Sequence, residues 1–513
     1  MALDLSDPRQ LAVALGPDLI LLGGAMLLLI WAAWRPDGAA HQRRVGIACL
    51  VLTALTAAAV VWSISRDQTT LELGVVAVDG LRWLAALVLL LGTGLTIAMA
   101  VDYNAREGIG AAESHVLILL GTAGMLLLAA ARDMILVFLG IELLSICVYA
   151  LSAMNRRSIR SAEGALKYFL LGAFATAFLL YGMALVYGAT GETNIALIGA
   201  RITELGLAAN PLLLTGIALL LIGFAFKIAA VPFHMWAPDV YEGAPTPVTA
   251  YMAASVKAAA FVAFLRVWAE AFPEAFDVWQ GVIVALAVVT MFAGNLIALA
   301  QRNIKRLLAY SSIAHAGYLL VAFATATVAG VEALLFYLFA YTLATMGAFA
   351  VLVAAGTPGE PNQRVEDYSG LWGERPWLAA AMTVFMMALL GFPVFGGIGF
   401  FAKWYVIRAA LEAPTPLIAL AIILVVTSVI SAGYYLHVVM VMFMKPRPVD
   451  APPIGPSRWL TRAVIVATAV LIIAFGMYPQ PLLDAARIGA PAVVRVGAAS
   501  TAGPGAGFGP LAP

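Results

Sequence analysis

Five ionisable residues lie deep inside apolar stretches of this chain. Glu142 stands in "FLGIELLSICVYAL", Lys227 in "GFAFKIAAVPF", Lys257 in "AASVKAAAF", His315 in "SSIAHAGY" and Lys403 in "GGIGFFAKWYV". A charged side chain at the centre of a bilayer costs about 2.5–3.5 kcal/mol on insertion scales, and such residues mark ion paths and proton relays. Carboxylate, amine and imidazole are also the groups that accept and release protons. A carboxylate 4 Å from an ammonium holds it by about 4 kcal/mol at an effective dielectric of 20. A changing separation between Glu142 and Lys227 would therefore switch the lysine between holding its proton and releasing it. The bland alternatives are a structural ion pair, a lysine snorkelling to the headgroups (most natural for Lys403), and a hydrogen-bonded core histidine for His315. Lys305 and Arg306 lie close to a cytoplasmic loop and are expected to act as topology determinants, with an inward-facing Lys305 as the alternative.

The surrounding chain must place these residues in a membrane. Of its 513 residues, 63% are hydrophobic and 11% charged, against about 25% charged in soluble proteins. Apolar runs long enough to span a bilayer recur throughout. The expected fold is all-α, a polytopic membrane protein of about fourteen transmembrane helices, each of about 20 residues. The expected spans are 17–34, 44–63, 78–101, 114–131, 134–152, 163–189, 211–240, 246–269, 276–299, 304–326, 330–355, 377–411, 415–443 and 459–478. Two are interrupted, the seventh at Pro232 and the twelfth at "GFPVFGGIG". Proline removes a backbone donor and breaks a helix, so Lys227 and the nearby Pro232 are read as one device, a proton carrier beside bent, hydratable backbone. The following "PFHMWAPDVYEGAPTPV" holds His234, Asp239 and Glu242. It serves either as a proton feed through His234 or as a plain rigid loop.

Basic residues concentrate in "RPDGAAHQRR", "NRRSIR", "QRNIKR" and "KPRPVDAPPIGPSR". By the positive-inside bias these loops face the cytoplasm, and both termini face outward, the periplasmic side of a bacterial inner membrane. The N-terminus lacks the basic region of a cleavable signal, so the first span is expected to be retained. A net charge of +1 and the absence of a basic tract argue against nucleic acid as a partner. Cys49 and Cys147 fall inside spans, too few for a zinc or iron–sulfur site, and are expected as packing thiols.

"ARDMILVFLGIELLSICVY" lies in spans four to eight and "QRNIKRLLAYSSIAHAGY" in spans nine to thirteen, two five-span units that each contain a broken helix. An odd number of spans makes the second unit inverted relative to the first, and paired broken helices in inverted repeats point to the ion site of transporters. The expected divisions are 1–113, an N-terminal three-helix segment; 114–270, the first five-helix repeat; 271–445, the second, inverted repeat; and 446–513, the last span and a short tail.

The segments "FKIAAVPFHMWAPDVYEGAPTPVTAYMAASVKAAAF", "NIKRLLAYSSIAHAGYLLVA" and "LLGFPVFGGIGFFAKWY" resemble the antiporter-like membrane subunits of respiratory complex I. "PDVYEGAPTPVTA" resembles the subunit N family among them, counterpart of mitochondrial subunit 2. The resemblance runs from about Glu113 to Arg447. It implies that Glu142 and Lys227 form a pair, that Lys257 and Lys403 match the lysines of the eighth and twelfth helices, and that a lateral hydrophilic chain joins two half-channels. Lys403 stands where a sister subunit usually carries glutamate. The Ala/Gly/Pro-rich tail "TAGPGAGFGPLAP" gives no sign of the long lateral helix of the larger sister subunit. "GFPVFGGIG" departs from the pattern by lacking a second proline.

The resemblance implies a proton-translocating subunit of a proton-pumping NADH:quinone oxidoreductase. Its partners would be the other membrane-arm subunits, including neighbouring antiporter-like ones, with lipid, protons and water. FMN, iron–sulfur clusters and quinone would act in other subunits, and no cofactor is expected in this chain. Glu142 would gate Lys227, Lys257 and His315 would relay, and Lys403 would exchange with the outer side. A subunit of a multi-subunit cation/proton antiporter is the main rival, disfavoured by "DVYEGAP". A quinone-binding redox subunit would need a polar headgroup cavity. A membrane spacer would have little use for midplane charges.

Overall fold

The computed structural model describes residues 2–3, 7–35, 38–66, 69–70, 74–393, 397–449 and 451–490. The described chain is nearly all helix, with one two-residue strand pair, Ala2–Leu3 beside Thr69–Thr70. Thirteen of its helices are long and apolar enough to cross a membrane. Together with the broken twelfth span, helical over Pro376–Leu390 and again over Gly397–Glu412, they account for the expected fourteen. Of the motif between those two halves, Val394 to Gly396 lie outside the described residues.

Polar residues at the span ends explain where the helices start. Asp79, Asp133, Asn210, Asn303 and Thr327 each accept a hydrogen bond from the first-turn amides of the third, fifth, seventh, tenth and eleventh spans, satisfying donors that a helix leaves open. One arrangement occurs twice. Before the fifth span, Met134 N donates to Thr193 O and Ile195 N to Arg132 O, both at 2.9 Å. Before the tenth span, Ile304 N donates to Gln363 O at 2.8 Å and Val365 N to Arg302 O at 2.9 Å. In each case the loop two helices later pairs with the start of the span.

The bundle has an enclosed centre and an exposed, apolar rim. The eighth span, Thr246–Ala271, is buried over its whole apolar window, and the tenth and eleventh, Ile304–Ala324 and Val328–Ala355, are 94% buried there. By contrast the first span, Gly16–Ala33, is only 22% buried. Lys257 and His315 therefore sit on the most enclosed helices. Around them, small residues let helices approach, as is usual where helix association lacks a hydrophobic drive. A Cβ on Gly124 would lie 2.8 Å from Leu144 N and 3.0 Å from Gly140 O, so the fourth span, Glu113–Ala130, presses directly on the fifth, Met134–Ser152. Gly124→Val is expected to cost about 1–3 kcal/mol through overpacking, whereas Gly23→Val, with open space around it, should cost nothing measurable. Equal thermal inactivation temperatures for the two solubilised variants would refute this account.

The seventh span is interrupted near Pro232, as expected, and its first helix stops short of the proline. Its helix ends at Ile228 with Ala229 left-handed at φ 58, and the chain then turns through a cis Val231–Pro232 bond into a short helix, Trp236–Gly243. Lys227 consequently lies in the last helical turn rather than mid-helix. The freed backbone is satisfied inside the protein: Trp236 Nε1 donates to Phe226 O at 3.0 Å, and Val231 N donates to Thr290 Oγ1 at 3.0 Å. Irregular backbone at membrane depth needs such partners.

Candidate functional site

Each midplane lysine meets only neutral oxygens. Lys227 Nζ donates to Ser145 Oγ at 2.6 Å, and Ser145 in turn donates to Ile141 O. Glu142 lies on the same stretch of the fifth span with one carboxylate oxygen buried and without a hydrogen-bond partner. Among the described residues no ion pair joins Glu142 to Lys227; the serine one helical turn on from the glutamate occupies the lysine instead. The ammonium also lies 5.8 Å from the ring centres of Tyr149 and Phe226, at the outer reach of a cation–π contact.

Lys257 follows a π-helical stretch, Met252–Val256, inside the eighth span, a distortion frequent at functional sites. Its Nζ donates to both the carbonyl and the hydroxyl of Ser312 at 2.5 Å. One turn along the tenth span, His315 Nδ1 and Nε2 lie 2.7 and 3.1 Å from the hydroxyls of Tyr337 and Tyr435. Tyr435 also pairs with Ser311. A second string of neutral groups runs beside it: Tyr434 Oη donates to Asn295 Oδ1 at 3.0 Å, and Asn295 Nδ2 donates to Tyr318 Oη at 3.0 Å. Lys403 Nζ sits 4.6 Å from the Tyr318 ring centre.

Lys403 belongs to the second half of the broken twelfth span, yet it serves the first. Its Nζ donates to Leu390 O at 2.8 Å and to Ser428 Oγ at 3.0 Å. Leu390 is the last residue of the helix Pro376–Leu390, where carbonyls lack helical partners and the helix dipole is negative. The stem passes Gly391, at φ +80, where a Cβ would lie 2.9 Å from Lys403 Cδ. Only a glycine suits both that backbone and that approach. The lysine is 7% exposed and anchored inward, so it does not snorkel.

The other cations behave differently. Lys305 takes the inward-facing alternative and is buried; it donates to Ala244 O at 2.7 Å and pairs with Glu360 at 3.4 Å. Arg306 Nη1 bonds Asp239 Oδ1 at 2.7 Å and Glu242 Oε2 at 3.0 Å. Lys167 Nζ also reaches Asp239, at 2.9 Å. These contacts clamp the short helix Trp236–Gly243, which suits the rigid-loop alternative for that segment. The structure leaves His234 Nδ1 buried and without a partner. Cys49 and Cys147 are free and buried. Among the described residues no group of three or more His, Cys, Asp or Glu is placed to hold a metal.

Sequence inspection for charged groups missed Ser145, Ser312, Ser428, Asn295 and the five tyrosines Tyr149, Tyr318, Tyr337, Tyr434 and Tyr435. The signal was present as helical spacing: Glu142, Ser145 and Tyr149, or Ser311, His315 and Tyr318, are three or four residues apart and share one face.

Residues 131–431 match the family described as "NADH:quinone oxidoreductase/Mrp antiporter, TM". The chain is 49% identical over 485 residues to the NADH-quinone oxidoreductase subunit N of Gemmatimonas aurantiaca, covering 92% of each. It is 48% identical over 412 residues to that of Trichlorobacter lovleyi, covering 80% of this chain and 84% of the relative. In structure it is similar to a chain of respiratory complex I from Thermus thermophilus solved with bound aureothin, with a TM-score of 0.76, 38% identity, and coverage of 92% and 100%. A chain of the Mrp complex from Dietzia sp. has a TM-score of 0.81, covering 94% and 97%, but is only 24% identical, which shows the shared fold alone. Sequence, rather than backbone shape, separates the two kinds of relative, and by it the chain belongs to the NADH-quinone oxidoreductase subunit N family.

Proposed function

We propose that this chain is the proton-translocating membrane-arm subunit of a proton-pumping NADH:quinone oxidoreductase, and that protons move through Glu142, Lys227, Lys257, His315 and Lys403. One observation carries the second half of that reading. Among the described residues the buried arginines are ion-paired, as in Arg82 with Asp18 and Arg266 with Asp79. Lys227, Lys257 and Lys403 are held by hydroxyls and carbonyls alone. A permanently charged lysine away from water requires a counter-charge; one that must lose and regain its proton is better served by neutral acceptors. Glu142, with its unpartnered oxygen near Lys227, supplies the movable charge, and a shift toward or away from the lysine governs proton release. Lys257 and His315 relay along the enclosed spans, and Lys403 exchanges with the outer side. Electrons, FMN, iron–sulfur clusters and quinone belong to other subunits of the complex.

The duplicated loop-to-span pairing and the two broken spans support divisions at 114–270 and 271–445 as inverted repeats, with 1–113 and 446–513 flanking them. The basic loops support a reading with both termini outside a bacterial inner membrane; a reporter at Pro513 that is active only outside the cytoplasm should be active.

The direct test is gentle purification of the tagged chain. NADH oxidation and flavin should co-purify, and reconstituted complex carrying Lys227→Ala should assemble but lose its proton pumping. Recovery of hydrophobic subunits alone, with sodium-dependent transport and no NADH activity, would favour the cation/proton antiporter.

A further inference from the structure

A cavity of about 420 Å³ opens beside the loop that follows the fifth span, with Glu107, Arg157, Arg160, Glu242 and Glu360 among its lining residues. A second cavity, of about 20 Å³, shares Glu360 and Gln363 with the first and reaches Thr246, Lys305 and Tyr368. Its size suits about one water molecule. Glu360 stands between the two. Its Oε1 accepts from Thr246 Oγ1 and lies 3.8 Å from Arg106 Nη2, while Oε2 is 3.4 Å from Lys305 Nζ. The backbone is strained to hold it there. Glu360 has φ +47 after Gly359 at φ +83, a left-handed conformation uncommon outside glycine, and Gly359 N is tied to Glu107 Oε2 at 2.8 Å. Strain of this kind persists where the surroundings impose it, often at functional sites. Burial works to raise the Glu360 carboxyl, but Lys305, Thr246 and Arg106 outweigh it and hold the group below its ordinary value, so an anion faces the mouth.

The small cavity is lined by Lys305, which shares the tenth span with a residue of the site. Lys305 and Ser312 are seven residues apart on the tenth span, two turns on one face, about 10 Å along the axis. Ser312 is the residue that takes the Lys257 ammonium. We propose that Glu360 is the carboxylate through which protons are taken up from this mouth toward Lys257, an inference that rests on the proton-translocating reading above. A proton passes from water in the larger cavity to a Glu360 oxygen and leaves to water in the smaller one, so the carboxylate is regenerated at each passage. Lys305 stays charged and keeps the site from trapping the proton.

In the assembled complex, Glu360→Gln should lose most of its pumping, and a small weak acid such as azide or formate should restore it by carrying protons past the missing carboxylate. A merely structural tie would not be rescued. A second variant avoids any folding defect. Asn155 lines the larger cavity, and the native cysteines are buried, so Asn155→Cys should pump normally until a bulky thiol reagent closes the mouth. Wild-type pumping by Glu360→Gln, a loss that weak acid does not rescue, or full pumping by the modified Asn155→Cys would each overturn the proposal. Lys227→Ala separates the two levels. If it is inactive while Glu360→Gln pumps normally, the uptake site alone falls; if Lys227→Ala also pumps normally, the proton-translocating reading falls with it.

Discussion

Complex carrying Lys257→Met is expected to pump protons about 100-fold more slowly than wild type, the lower end of what a positioned proton-transfer group contributes. Methionine fills much of the lysine's volume, so packing in the buried eighth span should survive and the complex should assemble. Lys257→Arg is the sharper variant. A guanidinium keeps the charge and can hydrogen-bond the Ser312 carbonyl and hydroxyl that Lys257 uses, but it does not deprotonate in proteins. If the lysine is a carrier, Lys257→Arg should be as inactive as Lys257→Met. If it is a structural cation, arginine should restore function. The check is proton uptake by inside-out vesicles during NADH oxidation, and wild-type pumping by Lys257→Arg would remove Lys257 from the path.

The second large effect concerns stability. Arg266, 1% exposed, binds Asp79 through Nη1 at 2.8 Å and Nη2 at 3.0 Å, and Glu270 at 3.0 Å. Arg132 reaches the same Glu270 at 3.4 Å, and Asp79 also caps the third span through Arg82 N at 2.8 Å. Arg266→Met would leave two carboxylates short of their partner. Removing one member of a buried pair costs about 3–5 kcal/mol, enough to lower the thermal inactivation temperature of the solubilised complex sharply. Arg408→Ala is the control: its pair with Glu412 is 56% and 54% exposed, and solvent screens so exposed a pair until it contributes little. The sign of the pH dependence follows from Asp79. Burial works to raise its carboxyl, but the Arg266 charge and hydrogen bonds, with the Arg82 amide, hold it below the ordinary value. Such a group stabilises the fold fully above the ordinary carboxylate range, and the stabilisation is lost as pH falls through its lowered value. Wild type should therefore lose part of its advantage over Arg266→Met only in strong acid. Equal inactivation temperatures for Arg266→Met and Arg408→Ala at neutral pH would contradict the network's role.

Much of this protein was decided by its sequence alone. Apolar runs of span length allow little but membrane helices, because backbone amides in lipid must be paired within the segment. Charges inside those runs stand out because they are costly there, which is why Glu142, Lys227, Lys257, His315 and Lys403 were visible without coordinates. Pro232 announced the seventh break for the same local reason.

What tertiary structure decided is who meets whom. Ser145 is 82 residues from Lys227, Ser312 is 55 from Lys257, and Asp79 is 187 from Arg266; nothing local in the chain relates these partners. The break also moved Lys227 to a helix end, which depended on Trp236 and Thr290 being near enough to satisfy the freed backbone. For Lys305 the sequence left a loop cation and an inward-facing one both open, and packing decides for the second by burying it against Glu360 and Ala244. Local composition sets which segments enter the membrane and which groups are out of place there. Whether an out-of-place charge is neutralised by an acid or left beside a hydroxyl depends on helix-to-helix contact, and that contact separates the structural cations from the three lysines proposed to carry protons.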